Sequence, residues 1–153
     1  MNCQNIKLSS TASIDTYFLH NSEEYNVEKK KPVVLVLPGG GYAFTSDREA
    51  EPIALKFNSI GLHVAILWYT VMDQVKNVPE QSFQEAMKAI LWIRKHAEEY
   101  LIDPDRVIVC GFSAGGHLCV QCAVRWNEAE IAQSLGCTNE ELKINLAIAG
   151  YPA

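Results

Sequence analysis

Val107-Ile-Val-Cys-Gly-Phe-Ser113-Ala-Gly-Gly-His117 is the stretch whose reading decides the fold. A short apolar run meets Gly111-Phe-Ser113-Ala-Gly115, and a helix-compatible segment follows. The pattern G-x-S-x-G at a strand-to-helix junction describes a sharp turn that lifts a serine hydroxyl out at the carboxyl end of a sheet. Its glycines permit backbone conformations and close approaches that a Cβ obstructs. Three fixed residues carry little weight alone: with Gly and Ser each near ~7% of residues, about one chain in twenty of this length matches by chance. The surrounding sequence decides.

Upstream, Pro32 introduces Val33-Val-Leu-Val-Leu37, an all-apolar run of the kind buried on both faces of a sheet. It ends in Pro38-Gly39-Gly40-Gly41-Tyr42. Ser46 with Glu49 three residues on makes a capping-box pattern, and Ile53, Ala54, Phe57 and Ile60 give the helix that follows one apolar face, stopped by Gly61. Pro52 places the regular part of that helix near residue 51, with residues 46–50 as a preceding turn. Leu62-His-Val-Ala-Ile-Leu-Trp68-Tyr69 reads as a second buried strand. A polar loop through Pro79 leads to a long helix over about 80–100, facing the core with Phe83, Met87, Ile90, Ile93 and Ala97, and with Ala86 beside them.

Asp103-Pro104-Asp105 makes a turn before a strand over 106–110, and the helix from Ala114 runs to about Trp126. Residues 127–143 are polar, with a short helix beginning near Thr138 and capped by Glu141. Ile144-Asn-Leu-Ala-Ile-Ala149 is the last strand. At the other end, residues 1–12 read as irregular and residues 13–20 as a peripheral strand. Apolar strands alternating with amphipathic helices predict a parallel sheet with helices on both faces. Such sheets place their sites at the carboxyl ends of the strands, where Gly39, Gly40, Gly41 and Ser113 all fall.

The 153 residues suit one domain with a real core. A net charge of −5, with no dense basic cluster beyond Lys29-Lys30-Lys31, argues against a nucleic-acid surface. The N-terminus shows no basic region followed by an apolar stretch, and no apolar run approaches membrane-spanning length. Five cysteines (Cys3, Cys110, Cys119, Cys122, Cys137) without regular spacing fit a reduced, cytoplasmic protein. Cys119-Val-Gln-Cys122 lies within a helix and reads as buried thiols rather than a redox or metal motif, so neither metal nor cofactor is expected.

Four stretches taken together carry a resemblance: Pro38-Gly-Gly-Gly-Tyr42, Thr45-Ser-Asp-Arg-Glu-Ala-Glu-Pro-Ile-Ala54, Ile102-Asp-Pro-Asp-Arg-Val107 and Cys110-Gly-Phe-Ser-Ala-Gly-Gly-His117. In this order they resemble the bacterial α/β-hydrolase esterases grouped with acetyl esterases, acetylxylan esterases and feruloyl-esterase-like proteins, relatives of the hormone-sensitive-lipase-like esterases. The resemblance covers about residues 31–153 and implies a three-layer α/β-hydrolase fold, cut after about its sixth strand. It implies a serine that attacks an ester carbonyl, a histidine base and an acid that orients the histidine. Carried over, Ser113 is the nucleophile, while Gly40, Gly41 and Ala114 supply oxyanion-hole amides. Acetylated carbohydrate or small esters are the implied substrates, through an acyl-serine intermediate. The physical logic agrees, because a tetrahedral intermediate carries negative charge that fixed amide donors stabilise. One departure is Pro38, which stands where the lipase-type relatives carry the His of His-Gly-Gly-Gly.

The other triad members do not follow. After Ser113 there is no aspartate, and the only histidine is His117, four residues along the same helix. That position predicts a helix-packing or pocket-wall role. Glu128, Glu130, Glu140 and Glu141 all precede the last strand. His63 starts its strand at the wrong end of the sheet, His96 ends the long helix, and His20 lies in the peripheral region. The expectation is a single partial domain over 1–153 that lacks the acid and base loops and is inactive or very weak alone. Its last strand would be an exposed apolar edge, favouring aggregation or a homodimer. The alternative is a non-catalytic remnant acting as a ligand-binding or interaction module. A phosphate-cradling loop is set aside, because the glycine spacing is neither G-x-G-x-x-G nor G-x-x-x-x-G-K-[ST].

Overall fold

Residues 33–37 occupy the centre of the sheet, in β3 (Lys31–Leu37), and none of them is exposed to solvent. Alternation along the strand sends Val33, Leu35 and Leu37 into one core and Val34 and Val36 into the other. In the computed structural model, which describes residues 1–72 and 74–153, β3 pairs in parallel with β4 (His63–Trp68) and with β5 (Ile102–Phe112). β5 pairs in turn with β6 (Leu146–Gly150), also in parallel. Beyond β4 the sheet continues through two antiparallel strands, β2 (Ser13–Tyr17) and β1 (Asn5–Lys7), giving the order β1-β2-β4-β3-β5-β6.

Helices cover both faces, as the alternating pattern predicts. The α1 helix (Glu51–Ser59) closes one core with Ile53, Ala54 and Phe57. On the opposite face, α2 (Val78–Lys95), α3 (Ala114–Arg125) and α4 (Ala129–Leu135) close the larger core. Pro52 stands in the first turn of α1, where a missing amide costs no helical hydrogen bond. From β3 the chain steps to β4 on one side, then crosses through α2 to β5 on the other. The carboxyl ends of β3 and β5 therefore flank the point where the strand order reverses, which is where open α/β sheets form a crevice.

Three expectations need correction. Residues 1–12 are not irregular: residues 5–7 pair with residues 13–15, and Asn2 bridges to Phe18. Hydrogen bonding to an existing edge, rather than burial, makes this strand, so its own sequence pattern is weak. The segment 127–143 contains α4, whose buried stripe is only Ile131 and Ala132 and leaves too little periodicity to read. Asp103-Pro104-Asp105 lies inside β5 as an outward excursion, because Ile102 pairs with Lys31 and Val107 with Val33. The 3-10 turn Asn139–Leu142 is capped as the sequence predicts, the Thr138 amide donating to Glu141 Oε2 at 2.8 Å.

β6 forms the edge of the sheet beyond β5, with Leu146 52% and Ile148 39% exposed. At the other side of the fold, the fully buried Glu85 of α2 gathers three segments. Its carboxylate accepts from the Thr70 amide at 2.8 Å, the Thr70 hydroxyl at 2.6 Å, Gln81 Nε2 at 3.0 Å and the Ser9 hydroxyl at 3.3 Å. Thr11 joins through the Thr70 hydroxyl, 2.6 Å away. A buried carboxylate is tolerable only when its lone pairs are filled in this way.

His63, the first residue of β4, is 1% exposed and serves as a structural fastener. Its Nδ1 accepts from the Leu19 amide at 3.0 Å, and Nε2 lies 3.3 Å from the Leu101 carbonyl. Burial pushes its pKa from 6.5 down to about 4. Between those values the unfolded chain binds more protons than the native one, so stability falls as pH drops from 6.5 to about 4 and is fully present above 6.5. At 1.36 kcal/mol per pKa unit, the contribution is at most about 3 kcal/mol. Urea unfolding at pH 7 and pH 5 should therefore show a smaller loss of stability in His63→Asn than in the wild type; equal losses would count against this placement of the histidine.

Candidate active site

Ser113 sits between the end of β5 and the start of α3 in a conformation rare for a side-chain-bearing residue, φ 52° and ψ −118°. Neighbouring backbone holds it there. Its amide donates to the Gly150 carbonyl at 3.0 Å, and its carbonyl accepts from the amides of His117 at 2.9 Å and Ala153 at 3.1 Å. The turn has no room for side chains around it. A methyl on Gly111 would stand 2.0 Å from the Gly115 carbonyl oxygen, and one on Gly115 would stand 2.0 Å from that of Leu37. The elbow is thus wedged between the carboxyl ends of β3 and β6.

The glycine loop after β3 lies directly against the serine, since a methyl on Gly39 would fall 3.1 Å from Ser113 Cβ. Gly40 (φ 137°), Gly41 (φ 62°) and Tyr42 (φ 60°) all adopt positive φ. This turn sends the Gly40 carbonyl back to the Ala43 and Phe44 amides at 3.0 and 3.3 Å. Among the described residues, the amides of Gly40, Gly41 and Ala114 donate to no protein acceptor. These are the three groups that the family resemblance named as anion donors; Ala114 directly follows Ser113, and the glycine loop lies against the serine's turn.

Two tethers set the loop's height. The buried Tyr69 donates its hydroxyl to the Pro38 carbonyl, and burial raises its pKa. The Met72 amide donates to the Tyr42 carbonyl at 2.7 Å. A third tether corrects the sequence reading of Glu49. It does not cap a helix with Ser46, whose side chain makes no capping bond. Instead, its Oε2 accepts from the Gly39 amide at 2.7 Å and its Oε1 from the Tyr151 hydroxyl at 2.6 Å. The S-x-x-E spacing was the visible signal, and it pointed to the wrong partner.

His117 packs against Tyr42, at the end of the glycine loop. Its Nδ1 is 2.8 Å from the Tyr42 hydroxyl, and the two rings meet edge-on with centroids 5.9 Å apart. Burial pushes the Tyr42 pKa up to about 12, so its hydroxyl stays protonated. Among the described residues, Ser113 Oγ has no hydrogen-bond partner. The other histidines lie elsewhere: His63 in the fastener above, His96 stacked on Trp92 at 4.2 Å, and His20 exposed. Of the later acids, Glu128 is engaged by Arg125 at 2.8 Å and Glu141 by Thr138. Cys119 and Cys122 are buried within α3, and burial raises both thiol pKa values.

The BD-FAE family model matches residues 18–153. The chain is 35% identical over 115 residues to endo-1,4-beta-xylanase B of Butyrivibrio fibrisolvens, an alignment covering 74% of this chain and 17% of that protein. It superposes on a putative carboxylesterase from Lactobacillus plantarum WCFS1 with a TM-score of 0.83 and 28% identity, over 100% of this chain and 59% of that one. On the acetyl ester-xyloside bifunctional hydrolase from Caldicellulosiruptor lactoaceticus the TM-score is 0.63 and the identity 32%, over 78% and 43% of the two chains. The chain thus spans about half the length of these solved structures and about a sixth of the curated relative.

The elbow's tolerance for a methyl group should differ sharply from the loop's. Gly115→Ala forces backbone against backbone, which should cost at least about 3 kcal/mol or abolish folding. Gly41→Ala meets nothing within 4 Å and pays only for its positive φ, about 1–2 kcal/mol. Chemical denaturation of the two variants checks the ranking; equal costs would contradict the wedged geometry.

Proposed function

Because the chain belongs to the BD-FAE family and shares its fold with α/β-hydrolase carboxylesterases, we propose that it carries the nucleophile and oxyanion half of a serine ester hydrolase site. Ser113 Oγ attacks the ester carbonyl carbon while a base accepts the hydroxyl proton. The carbonyl oxygen becomes an oxyanion held by the amides of Gly40, Gly41 and Ala114. Collapse of the intermediate expels the alcohol, which takes the proton from the base, and leaves the acyl group on Ser113. Water attacks the acyl carbon, giving a proton to the same base, which returns it to Ser113 Oγ as the carboxylic acid leaves. The observation that carries this reading is the set of amides without protein acceptors beside a serine held in a strained turn. Where an oxyanion donor is a side chain that can be deleted, it is worth about 10²–10³ in kcat, which sets the scale for these amides.

The substrates are acylated carbohydrates or small esters. Support comes from relatives described as a xylanase and as an acetyl ester-xyloside hydrolase, and from the exposed aromatic rings of Phe44, beside Gly40, and of Tyr151, beside Phe112. The general base and its orienting acid come from residues outside 1–153. Tyr42 engages His117, and the four remaining glutamates after Ser113 precede β6. Without its base, a serine hydrolase loses on the order of 10⁶ in turnover.

An activated ester, whose leaving group departs without a proton, depends on the base less than the attack of water on the acyl-serine does, so the 153-residue chain should acylate slowly and accumulate its intermediate. After prolonged incubation with p-nitrophenyl acetate, peptide mapping should find acetyl on Ser113 and none at that position in Ser113→Ala. Acetyl confined to lysines would contradict the nucleophile assignment. Rapid turnover abolished in Ser113→Ala would support the serine and refute the external base.

A further inference from the structure

We propose that Glu49 is a positioning residue for the oxyanion loop, holding the Gly40 and Gly41 amides at their working distance from Ser113 by clamping the loop to the segment after β6. This inference rests on the ester-hydrolase reading of Ser113. Glu49 lies in the 3-10 turn Asp47–Glu49, ahead of α1 and within hydrogen-bond reach of the glycine loop. Among the described residues it is the one side chain that hydrogen-bonds both the glycine loop and the segment after β6.

Each end of the clamp is next to the serine. Gly39, whose amide Glu49 Oε2 receives at 2.7 Å, packs against Ser113 Cβ and the Phe112 carbonyl. Tyr151, whose hydroxyl donates to Glu49 Oε1 at 2.6 Å, lies against the Phe112 ring with centroids 5.8 Å apart. It is flanked by Gly150, which accepts the Ser113 amide, and by the Pro152-Ala153 pair, whose last amide returns to the Ser113 carbonyl. One carboxylate thus closes a ring through the loop, the serine and the end of the sheet.

Among the described residues, no other side chain hydrogen-bonds Gly39, Gly40 or Gly41. Tyr69 and Met72 hold Pro38 and Tyr42 from the α2 face, so Glu49 opposes them across the loop. The turn 39–41 lies between these supports, with two of its residues at positive φ and no side chains of its own to anchor it. Oxyanion donors act only when pre-set, and a misplacement of about 1 Å can cost roughly 10²-fold in rate. The carboxylate does not touch the reacting atoms in this scheme. It acts through the Gly39 amide.

The test compares wild type, Glu49→Ala and Glu49→Gln by two readouts: the rate of Ser113 acetylation by p-nitrophenyl acetate, and amide exchange followed by NMR. The informative amides are Phe44 and Ser46, which donate to the Gly40 and Gly39 carbonyls and not to Glu49. Glu49→Ala should slow acetylation by about 10- to 100-fold and speed exchange at Phe44 and Ser46, leaving α2 amides unchanged. Glu49→Gln can still accept from Gly39 and donate to Tyr151, so it should stay within a few-fold of wild type in both. Adding Tyr151→Phe to Glu49→Ala should cost nothing more, because the tyrosine acts through the carboxylate. Unchanged exchange at Phe44 and Ser46 in Glu49→Ala would overturn the proposal, as would exchange that rises equally in α2. If the wild type never acquires acetyl on Ser113, the hydrolase reading fails, and exchange still decides whether Glu49 orders the loop.

Discussion

The structure depends on a contact between backbones with nothing between them. Gly115 approaches the Leu37 carbonyl so closely that a single methyl would stand 2.0 Å from the oxygen, and Gly111 has the same relation to Gly115. Glycine contributes here by absence. Because α3 can settle this deeply onto the end of β3, the turn before it projects Ser113 toward the glycine loop. The strained φ of the serine is sustained by bonds to Gly150 and Ala153 rather than by its own preferences. The site is a product of tight packing at the sheet's carboxyl edge, and the apolar cores on either face exist to hold that edge still.

Much of this was legible in the sequence, for a physical reason. Val33-Val-Leu-Val-Leu37 is apolar at every position because both faces of β3 are covered, and such runs have few alternatives. The α2 helix announced itself through Phe83, Met87, Ile90 and Ile93, all of them fully buried. Glycines and proline mark turns whatever surrounds them, so residues 38–42 and 111–115 could be placed at strand ends before any pairing was known. The oxyanion candidates within those turns came from the family resemblance.

What could not be read depends on partners distant in sequence. Residues 5–7 are a strand because residues 13–15 offer an edge, not because of their own alternation. Glu49 has the spacing of a helix cap, but its acceptor oxygens meet Gly39 and Tyr151, and Tyr151 is 102 residues away in the chain. Glu85 lies two residues from Phe83, roughly 200° around an α-helix, and so should face solvent. It is buried because the loop 9–12 and Thr70 cover that side. Local pattern reports the environment a residue prefers, whereas these residues are defined by what the rest of the chain brings to them.

The Glu85 cluster also solves a counting problem at the antiparallel end of the sheet. Alternation along β2 keeps Ile14 inside, but alternation specifies only odd from even: a slip of two residues against β4 would leave every side chain on its proper face. Such a slip moves the strand by about 6.8 Å. Ser9 and Thr11 ride on the segment that leads into β2, and they would be carried away from Glu85 and Thr70, leaving a carboxylate in the interior with too few donors. Parity is set by hydrophobic side chains, and the absolute address of the strand by polar fasteners at its two ends, Glu85 before it and His63 after it.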